Sequence, residues 1–192
     1  MYGQTEATAR MGYLPAGKAI EKCGSMGIAI PGGKFWLRED EHREITESDT
    51  VGELVYEGPN VTMGYALCRD DLAKGDKNSG ILYTGDMAKR DADGYYYIVG
   101  RKKRFLKMYG KRVNLDEIEQ LIKAEFNGIG TACTGEDDHL RVFMEGADEE
   151  LCAQTAAWLA EKTGIHLRGV QVFSIDEIPK NDAGKTLYHA LK

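Results

Sequence analysis

One stretch of the chain, residues 83–119, combines features that few folds accommodate in this order. It opens with Tyr83-Thr84-Gly85-Asp86, continues through an aromatic strand, and passes a dense basic run at 101–104 before a capped helix. The texture of the sequence changes within it, from short alternating segments to a helical apolar period. The stretch therefore predicts the junction between a β-rich part and a mixed part of the chain.

Residues 12–100 predict β-strands joined by turns. Apolar or alternating segments at 34–37, 53–57 and 95–99 are separated by punctuation such as Pro31-Gly32-Gly33 and Gly58-Pro59-Asn60. The Thr-Gly-Asp at 84–86 follows a polar, Gly-rich approach at 75–80 and predicts a further turn. We expect these strands to form a small barrel-like sheet.

The remainder predicts a compact α+β unit. Asn114 can cap a helix with Glu117 three residues later. Strands are expected near 130–134, 140–145 and 170–173, a second amphipathic helix around Leu151, and a short C-terminal helix from about Thr186. The predicted fold class is α+β, with a β-barrel-like subdomain at 1–100, a junction at 101–104 and a small α+β domain at 105–192.

Composition excludes several classes of protein. The 192 residues are 42% hydrophobic and 29% charged, which suits a soluble domain with a core, and the net charge of -6 argues against nucleic acid as a partner. No apolar run approaches the roughly 18 residues of a membrane span, and the N-terminus lacks the apolar core of a secretion signal. The four cysteines are widely spaced, and their spacing matches neither a zinc site nor a disulfide framework. We expect a cytoplasmic protein.

Several polar residues suit chemistry, although each also has a plain structural interpretation. Glu6 offers the carboxylate oxygen that a hard divalent cation prefers, or belongs to a flexible tail. Asp86 can accept hydrogen bonds from vicinal hydroxyls, or caps a turn. The basic run at 101–104 is otherwise a solvated face, Gly110 a hairpin glycine at positive φ, and Lys185 an exposed tail lysine.

In combination these motifs resemble those of the adenylate-forming ligases, the superfamily of acyl-CoA synthetases, carrier-protein-loading adenylation domains and luciferases. The order and approximate separations of that family are kept from Tyr2 to Lys185. The motifs that carry the resemblance are Tyr2-Gly3-Gln4-Thr5-Glu6, the block from Gly52-Glu53-Leu54 to Gly64-Tyr65, the stretch 83–119, and Pro179-Lys180 with Gly184-Lys185.

The resemblance implies a site for ATP and AMP with Mg²⁺. Tyr2 would pack beside the adenine, the Thr5 hydroxyl would touch phosphate, and Glu6 would bind the metal. Asp86 would accept hydrogen bonds from the ribose hydroxyls, and Arg101 would contact the ribose and phosphate end of the nucleotide.

The resemblance also implies a mobile C-terminal domain that serves two steps. Lys103, within the junction 101–104, falls at the family's hinge position. Lys185 would stabilise the charge that develops as a carboxylate attacks the α-phosphate. Lys107 and Gly110 belong to the segment presented for thioester formation, where a narrow pantetheine tunnel leaves no room for a Cβ.

The sequence departs from the family in one large respect. Family members carry, upstream of the Tyr-Gly-x-Thr-Glu motif, a Ser/Thr/Gly-rich loop that wraps the ATP phosphates, together with most of the acyl pocket, and neither is found in these 192 residues. We therefore expect the C-terminal portion of a ligase, inactive alone, as an expression fragment, a truncated gene product or half of a split enzyme.

Three functions follow as hypotheses. The first is part of an ATP-dependent, AMP-forming acid-thiol ligase that acts on a carboxylic acid, with coenzyme A or a phosphopantetheine carrier protein as acceptor. The second is a non-catalytic module that binds a separately encoded N-terminal half or an acyl carrier protein. The third, a P-loop nucleotidase suggested by Gly184-Lys185-Thr186, is disfavoured because the first glycine of that motif would fall at Pro179.

Overall fold

The computed structural model describes residues 1–8, 10–40 and 43–191. The chain divides into two compact units, Met1–Lys103 and Arg104–Lys192, here called unit 1 and unit 2. Each unit has its own hydrophobic core. The predicted α+β class is confirmed, since unit 1 contains strands and short 3₁₀ turns, and unit 2 contains strands and α-helices.

Unit 1 is built around an open antiparallel sheet of five strands in the order β4-β3-β5-β6-β7. A short ladder of β1 with β2 adjoins it, and an isolated bridge joins Gly27 to Tyr96 of β7. The predicted barrel-like sheet is thus open, with β4 and β7 at its edges. The strands are β1 (Gly12–Tyr13), β2 (Ile28–Ala29), β3 (Lys34–Arg38), β4 (Glu44–Ile45), β5 (Gly52–Glu57), β6 (Ile81–Arg90) and β7 (Tyr96–Arg101).

The core of unit 1 follows the two-residue period of its strands. Phe35 and Leu37 alternate with less buried neighbours on β3, and the Phe35 ring lies 5.3 Å from that of Tyr56 and 5.4 Å from that of Tyr96. The Tyr96 hydroxyl donates to the Phe35 carbonyl at 2.8 Å. Burying each such ring contributes about 1.5–3 kcal/mol, so this cluster fixes the sheet register.

The turn predicted at 84–86 is wrong, because Thr84, Gly85 and Asp86 lie inside the ten-residue strand β6. The pairing of β6 shifts register against both of its neighbours near this point, and Gly85 has φ +70°. A glycine at positive φ within a strand is typical of a bulge, which re-aims the side chains beside it. Residues that are typical of turns therefore form an irregular part of a strand here.

Unit 2 contains a three-stranded sheet in the order β10-β11-β12, in which β11 pairs antiparallel with β10 and parallel with β12. A separate hairpin, β8 with β9, precedes the first helix. The elements are β8 (Phe105–Met108), β9 (Lys111–Asn114), α1 (Leu115–Glu125), β10 (Thr131–Glu136), β11 (His139–Glu145), α2 (Glu149–Thr163) and β12 (Val170–Ile175).

Both helices of unit 2 begin at the capping residues that their sequences provide. The Asn114 side chain caps α1 by accepting a hydrogen bond from the Asp116 N–H at 3.0 Å, and Asp148 caps α2 in the same way. On α1, Leu115, Ile118 and Ile122 are buried against the sheet, as their spacing predicts.

The helix predicted from Thr186 is wrong. In its place is a three-residue 3₁₀ turn, Tyr188–Ala190. The Leu187 N–H donates to the Pro179 carbonyl at 2.8 Å, and Leu191 is buried together with Ile178. These tertiary contacts outweigh the propensity of a segment too short to sustain an isolated helix.

Candidate functional site

The carboxylate of Asp86 is a nearly buried polar group of unit 1, and its residue is only 3% exposed. Its Oδ2 accepts hydrogen bonds from the Tyr2 hydroxyl at 2.5 Å and from Gln4 Nε2 at 3.0 Å. Its Oδ1 pairs with Arg101 Nε at 2.8 Å. The Arg101 side chain is 60% exposed, so the cluster is accessible to solvent on the side of Arg101.

Strand pairing brings these residues together. Asp86 on β6 lies directly opposite Arg101 on β7, and the Thr84 hydroxyl accepts from the Asp86 N–H at 3.1 Å. An antiparallel bridge from Tyr2 to Gly12 holds the N-terminal segment beside the sheet. Of the predicted site residues, the structure therefore places Tyr2, Asp86 and Arg101 in one cluster.

Burial raises the pKa of Tyr2, and the hydrogen bond to the Asp86 carboxylate raises it further. The phenol consequently stays protonated in the folded protein and acts as a donor. A donor with a charged acceptor forms one of the stronger kinds of hydrogen bond.

The alkaline side of the stability profile should reveal this Tyr2 hydrogen bond. Because the Tyr2 pKa is raised on folding, its contribution is fully present below the unfolded-state pKa of about 10 and is lost as the pH rises above it. We expect Tyr2→Phe to be less stable than the native chain by about 1–3 kcal/mol at pH 8, with the gap shrinking towards pH 11. Urea unfolding across this range measures the gap. Tyr13→Phe is the control, and a constant gap for Tyr2→Phe would contradict the assignment.

Thr5 and Glu6, the predicted phosphate and metal residues, lie on a short 3₁₀ turn, Thr5–Ala7. The Glu6 carboxylate accepts a hydrogen bond from the Tyr65 hydroxyl. That hydrogen bond, followed by one from its own N–H, lowers the pKa of Glu6. Within the described residues no group of three or more metal-ligating side chains is found, so Glu6 offers a single ionised carboxylate.

The basic run at 101–104 is not uniformly solvated. Lys102 Nζ lies 2.8 Å from Oε2 of Glu53, and that same oxygen accepts from Arg38 Nε at 2.8 Å. Burial acts to raise the pKa of Glu53, but these two cations outweigh it and the pKa is lowered. Lys103 is exposed. The interpretation as a solvated face agrees with the exposure of Arg101, Lys102 and Lys103, although the first two also form ion pairs. Arg104, whose side chain is 11% exposed, departs from it.

Arg104, the first residue of unit 2, is at the centre of a second polar cluster. Its guanidinium donates to Asp116 at 2.7 Å, to Glu119 at 2.5 Å and to the Cys133 carbonyl at 2.6 Å. It also stacks on the Tyr188 ring, with Cζ 3.8 Å from the ring centroid. Arg104 was not predicted as a site residue, since its partners lie on three distant segments.

Lys107 and Gly110 lie on the β8–β9 hairpin. Lys107 is exposed and pairs in register with Arg112. Tyr109 and Gly110 form its two-residue turn with φ of +48° and +86°, the left-handed pair that a tight hairpin requires. The hairpin-glycine interpretation of Gly110 therefore holds, and it does not conflict with a role in binding.

Lys185 lies on a different loop of unit 2. The Asn181 side chain accepts hydrogen bonds from the N–H groups of Ala183 and Lys185, and a bridge joins Lys180 to Thr186. The Lys185 side chain is exposed. A P-loop would continue into an α-helix, whereas the described residues after Lys185 form only the 3₁₀ turn.

Sequence reasoning passed over two further residues of unit 1. Gln4 Nε2 donates hydrogen bonds to Oδ2 of Asp86 and to the Thr84 carbonyl, each at 3.0 Å. The Tyr65 hydroxyl donates to the Glu6 carboxylate. Both belong to motifs that were recognised, so their position in those motifs was the available signal. What the sequence lacks is any local indication of their partners.

Comparison with known proteins explains why these motifs occur together. The family model for AMP-binding enzymes matches residues 1–66. The 2-succinylbenzoate–CoA ligase of a Geobacillus strain is 29% identical over 204 residues, which cover 100% of this chain and 40% of the relative. A probable 4-coumarate–CoA ligase of Dictyostelium discoideum is 30% identical over 200 residues, which cover 100% of this chain and 36% of the relative. The chain belongs to the adenylate-forming ligases.

The same family appears among solved structures. The O-succinylbenzoate coenzyme A synthetase of Bacillus subtilis, in complex with AMP, matches 100% of this chain and 40% of its own chain with a TM-score of 0.72 at 22% identity. The ATP-bound MatB of Rhodopseudomonas palustris matches 99% of this chain and 39% of its own chain, with a TM-score of 0.68 at 24% identity. At these identities the likeness establishes the fold, which is that of the C-terminal part of an adenylate-forming ligase.

The ligase chain spans about two fifths of the length of the curated relatives it matches. Those relatives are acyl- and aryl-CoA ligases by name. The predicted family and fold are thereby confirmed. No helix in the part of the chain that the structure describes is long and apolar enough to span a bilayer.

Proposed function

We propose that this chain supplies the C-terminal part of an ATP-dependent, AMP-forming acid-thiol ligase. The complete enzyme joins a carboxylate to AMP with release of pyrophosphate. It then passes the acyl group to a thiol with release of AMP. The observation that carries the proposal is the Asp86 cluster, a nearly buried carboxylate that Arg101, an exposed residue, contacts alongside the partly buried Tyr2 and Gln4.

The cluster suits a ribose that binds by replacing Arg101 as the partner of the Asp86 carboxylate. Oδ2 of Asp86 is held by Tyr2 and Gln4, whereas Oδ1 is held by Arg101 alone among the contacts described. The Arg101 side chain is exposed and can swing into solvent, but the buried Oδ1 that it leaves needs a new hydrogen-bond donor. A ribose hydroxyl then takes Oδ1, and the released guanidinium is free to meet phosphate. Tyr2 packs beside the adenine in this proposal.

Glu6 fits a magnesium ion that is held mainly by phosphates. Its carboxylate is ionised and only partly buried, and Mg²⁺ in such sites uses one or two carboxylates, with waters and phosphates completing the shell. The bound ion would neutralise charge on the ATP phosphates during the attack. To reach it, Glu6 has to give up the hydrogen bond from Tyr65. We assign Thr5, exposed on the same turn, to phosphate.

Unit 2 would serve both half-reactions with different residues. Lys185, exposed on a loop ordered by Asn181, stabilises negative charge on the α-phosphate and carboxylate oxygens during adenylation. Lys107 and Gly110, on the β8–β9 hairpin, serve the transfer to the thiol of coenzyme A or of a phosphopantetheine carrier protein. The cytoplasm, which supplies ATP and reduced thiols, is the proposed location.

Lys103 is the proposed hinge, and the contacts on either side of it support this. Lys102 is tied to Glu53 within unit 1, and Arg104 is tied to Asp116 and Glu119 within unit 2. With both neighbours held, a rotation between the units is concentrated in the backbone torsions of the residue between them.

Lys103→Pro should therefore slow the alternation between the two half-reactions. Proline fixes φ near -65° and restricts the residue before it, so one of two backbone states is lost. We expect one half-reaction to fall by about 10-fold or more while the other keeps its rate. Lys103→Ala is the matched control because it removes the charge and leaves φ free. Normal rates of both half-reactions in Lys103→Pro would refute the hinge.

The proposed function is tested by complementation. This chain alone and this chain mixed with the N-terminal portion of an acyl-CoA ligase are assayed for pyrophosphate exchange dependent on ATP and a carboxylate. Activity that appears only in the mixture supports the ligase. Stable association without activity, at any carboxylate tested, would instead favour the non-catalytic module that binds an N-terminal half or a carrier protein.

A further inference from the structure

Arg104 is more constrained than a boundary residue needs to be. Its side chain is 11% exposed and donates to two carboxylates and to one backbone carbonyl. Burial acts to lower the pKa of Arg104, but Asp116 and Glu119 outweigh it and the pKa is raised. The guanidinium therefore stays charged in a fixed orientation, since its planar fork matches these acceptors.

The exposed side of this cluster is closed by an aromatic ring from the C-terminal segment. Tyr188 stacks on the Arg104 guanidinium at 3.8 Å, and its hydroxyl donates to Glu119 Oε2 at 3.3 Å. The same Glu119 carboxylate accepts from Arg104 and from the Cys133 N–H through Oε1. Burial raises the pKa of Glu119, whereas the Cys133 N–H and Arg104 act to lower it and so favour the ionised carboxylate.

Tyr188 follows directly on the loop that carries Lys185. This loop, residues 179–187, is closed by the hydrogen bond from Leu187 to Pro179 and by the bridge from Lys180 to Thr186. Ile178 before the loop and Leu191 after it are buried in one small apolar cluster, to which Tyr188 also contributes. Between those two anchors, Tyr188 is held by its stack on Arg104 and by its hydrogen bond to Glu119, and these contacts orient the segment that follows the loop.

We propose that Arg104 is a positioning residue for Lys185. By clamping Tyr188, it ties the 179–187 loop to the residue that follows the proposed hinge, so that the loop turns as one body with the start of unit 2. The inference rests on the proposed function in that Lys185 is taken to serve adenylation. Lysine is a poor substitute for this arginine, because its ammonium lacks the planar group that donates to acceptors in its plane while its face stacks on a ring.

Hydrogen exchange of this chain tests the clamp without any activity assay. The variants are Arg104→Lys and Tyr188→Leu, the second of which leaves the ion pairs of Arg104 in place, and Arg168→Gln is the control at an exposed arginine of unit 2. We expect the Gly184 and Leu187 amides to exchange about 10-fold faster or more in both variants, with α2 amides unchanged. Exchange in the loop equal to that of the native chain and of Arg168→Gln would overturn the clamp.

The same variants, combined with an N-terminal portion, test the consequence for catalysis. Adenylation should fall about 10-fold in Arg104→Lys and Tyr188→Leu, while thioester formation from supplied acyl-adenylate keeps its rate. Full adenylation despite a loosened loop would overturn the positioning role and leave the proposed function standing. Full adenylation by Lys185→Ala would overturn the proposed function itself, while the exchange data would still report on the clamp.

Discussion

Lys185→Ala, in an enzyme completed with an N-terminal portion, should abolish pyrophosphate exchange and spare the second half-reaction. Removing one preorganised group that stabilises charge in a transition state costs about 10²- to 10³-fold in rate. The loop is closed by backbone and Asn181 contacts that do not involve the lysine side chain, so the substitution should leave its fold intact. Pyrophosphate exchange and thioester formation from a supplied acyl-adenylate are measured separately.

Lys180→Ala is the matched control for this result, since Lys180 is an exposed lysine of the same loop. It should retain the native rate of pyrophosphate exchange. Equal loss of both half-reactions in Lys185→Ala would refute the division of labour between Lys185 and the β8–β9 hairpin. A comparable loss in Lys180→Ala would attribute the effect to the charge of the loop.

Asp86→Asn should raise the dissociation constant of AMP by about 10- to 100-fold in the completed enzyme. A hydrogen bond to a charged group contributes about 1.5–3 kcal/mol, and every 1.4 kcal/mol is a factor of ten in affinity. The amide also points donor hydrogens at a cluster of donors from Tyr2, Gln4 and Arg101, so we expect the chain to lose about 1–3 kcal/mol of stability. Calorimetric titration with AMP and urea unfolding measure the two effects.

Glu53→Gln separates these two effects. Glu53 is another buried carboxylate of the same sheet and holds Arg38 and Lys102. Its substitution should lower stability by a similar amount without changing the affinity for AMP. If Glu53→Gln weakened AMP binding as strongly as Asp86→Asn, the loss would reflect the sheet, and Asp86 would lose its assignment to the ribose.

Local patterns of the sequence predicted the elements whose formation depends on local physics. Asn114 caps α1, and the strands around Phe35 and Leu54 lie where the alternating or apolar stretches of the sequence place them. Where long-range contacts decide, the same reasoning was wrong. Thr84-Gly85-Asp86 has the residues of a turn, yet its neighbours on both sides hold it in a strand.

The candidate site divides in the same way. Motif resemblance selected Tyr2, Asp86 and Arg101, which the structure brings into one cluster, while their roles stay predictions. The partners of Arg104 come from α1, from β10 and from the C-terminal segment, which are 12 to 84 positions away in the chain. No spacing rule relates residues so distant, and only the fold reveals that they meet.

The hydrogen bond between Tyr2 and Asp86 also has a kinetic meaning. It joins positions 84 residues apart, and closing so long a loop carries an entropic cost that nearer contacts do not. Such a contact should form late in folding, after the strands between its ends have paired. Weakening it would then speed unfolding and leave the folding rate almost unchanged. The N-terminal segment would thus slow the unfolding of unit 1, and a nucleotide bound beside it would lengthen the lifetime of the folded state.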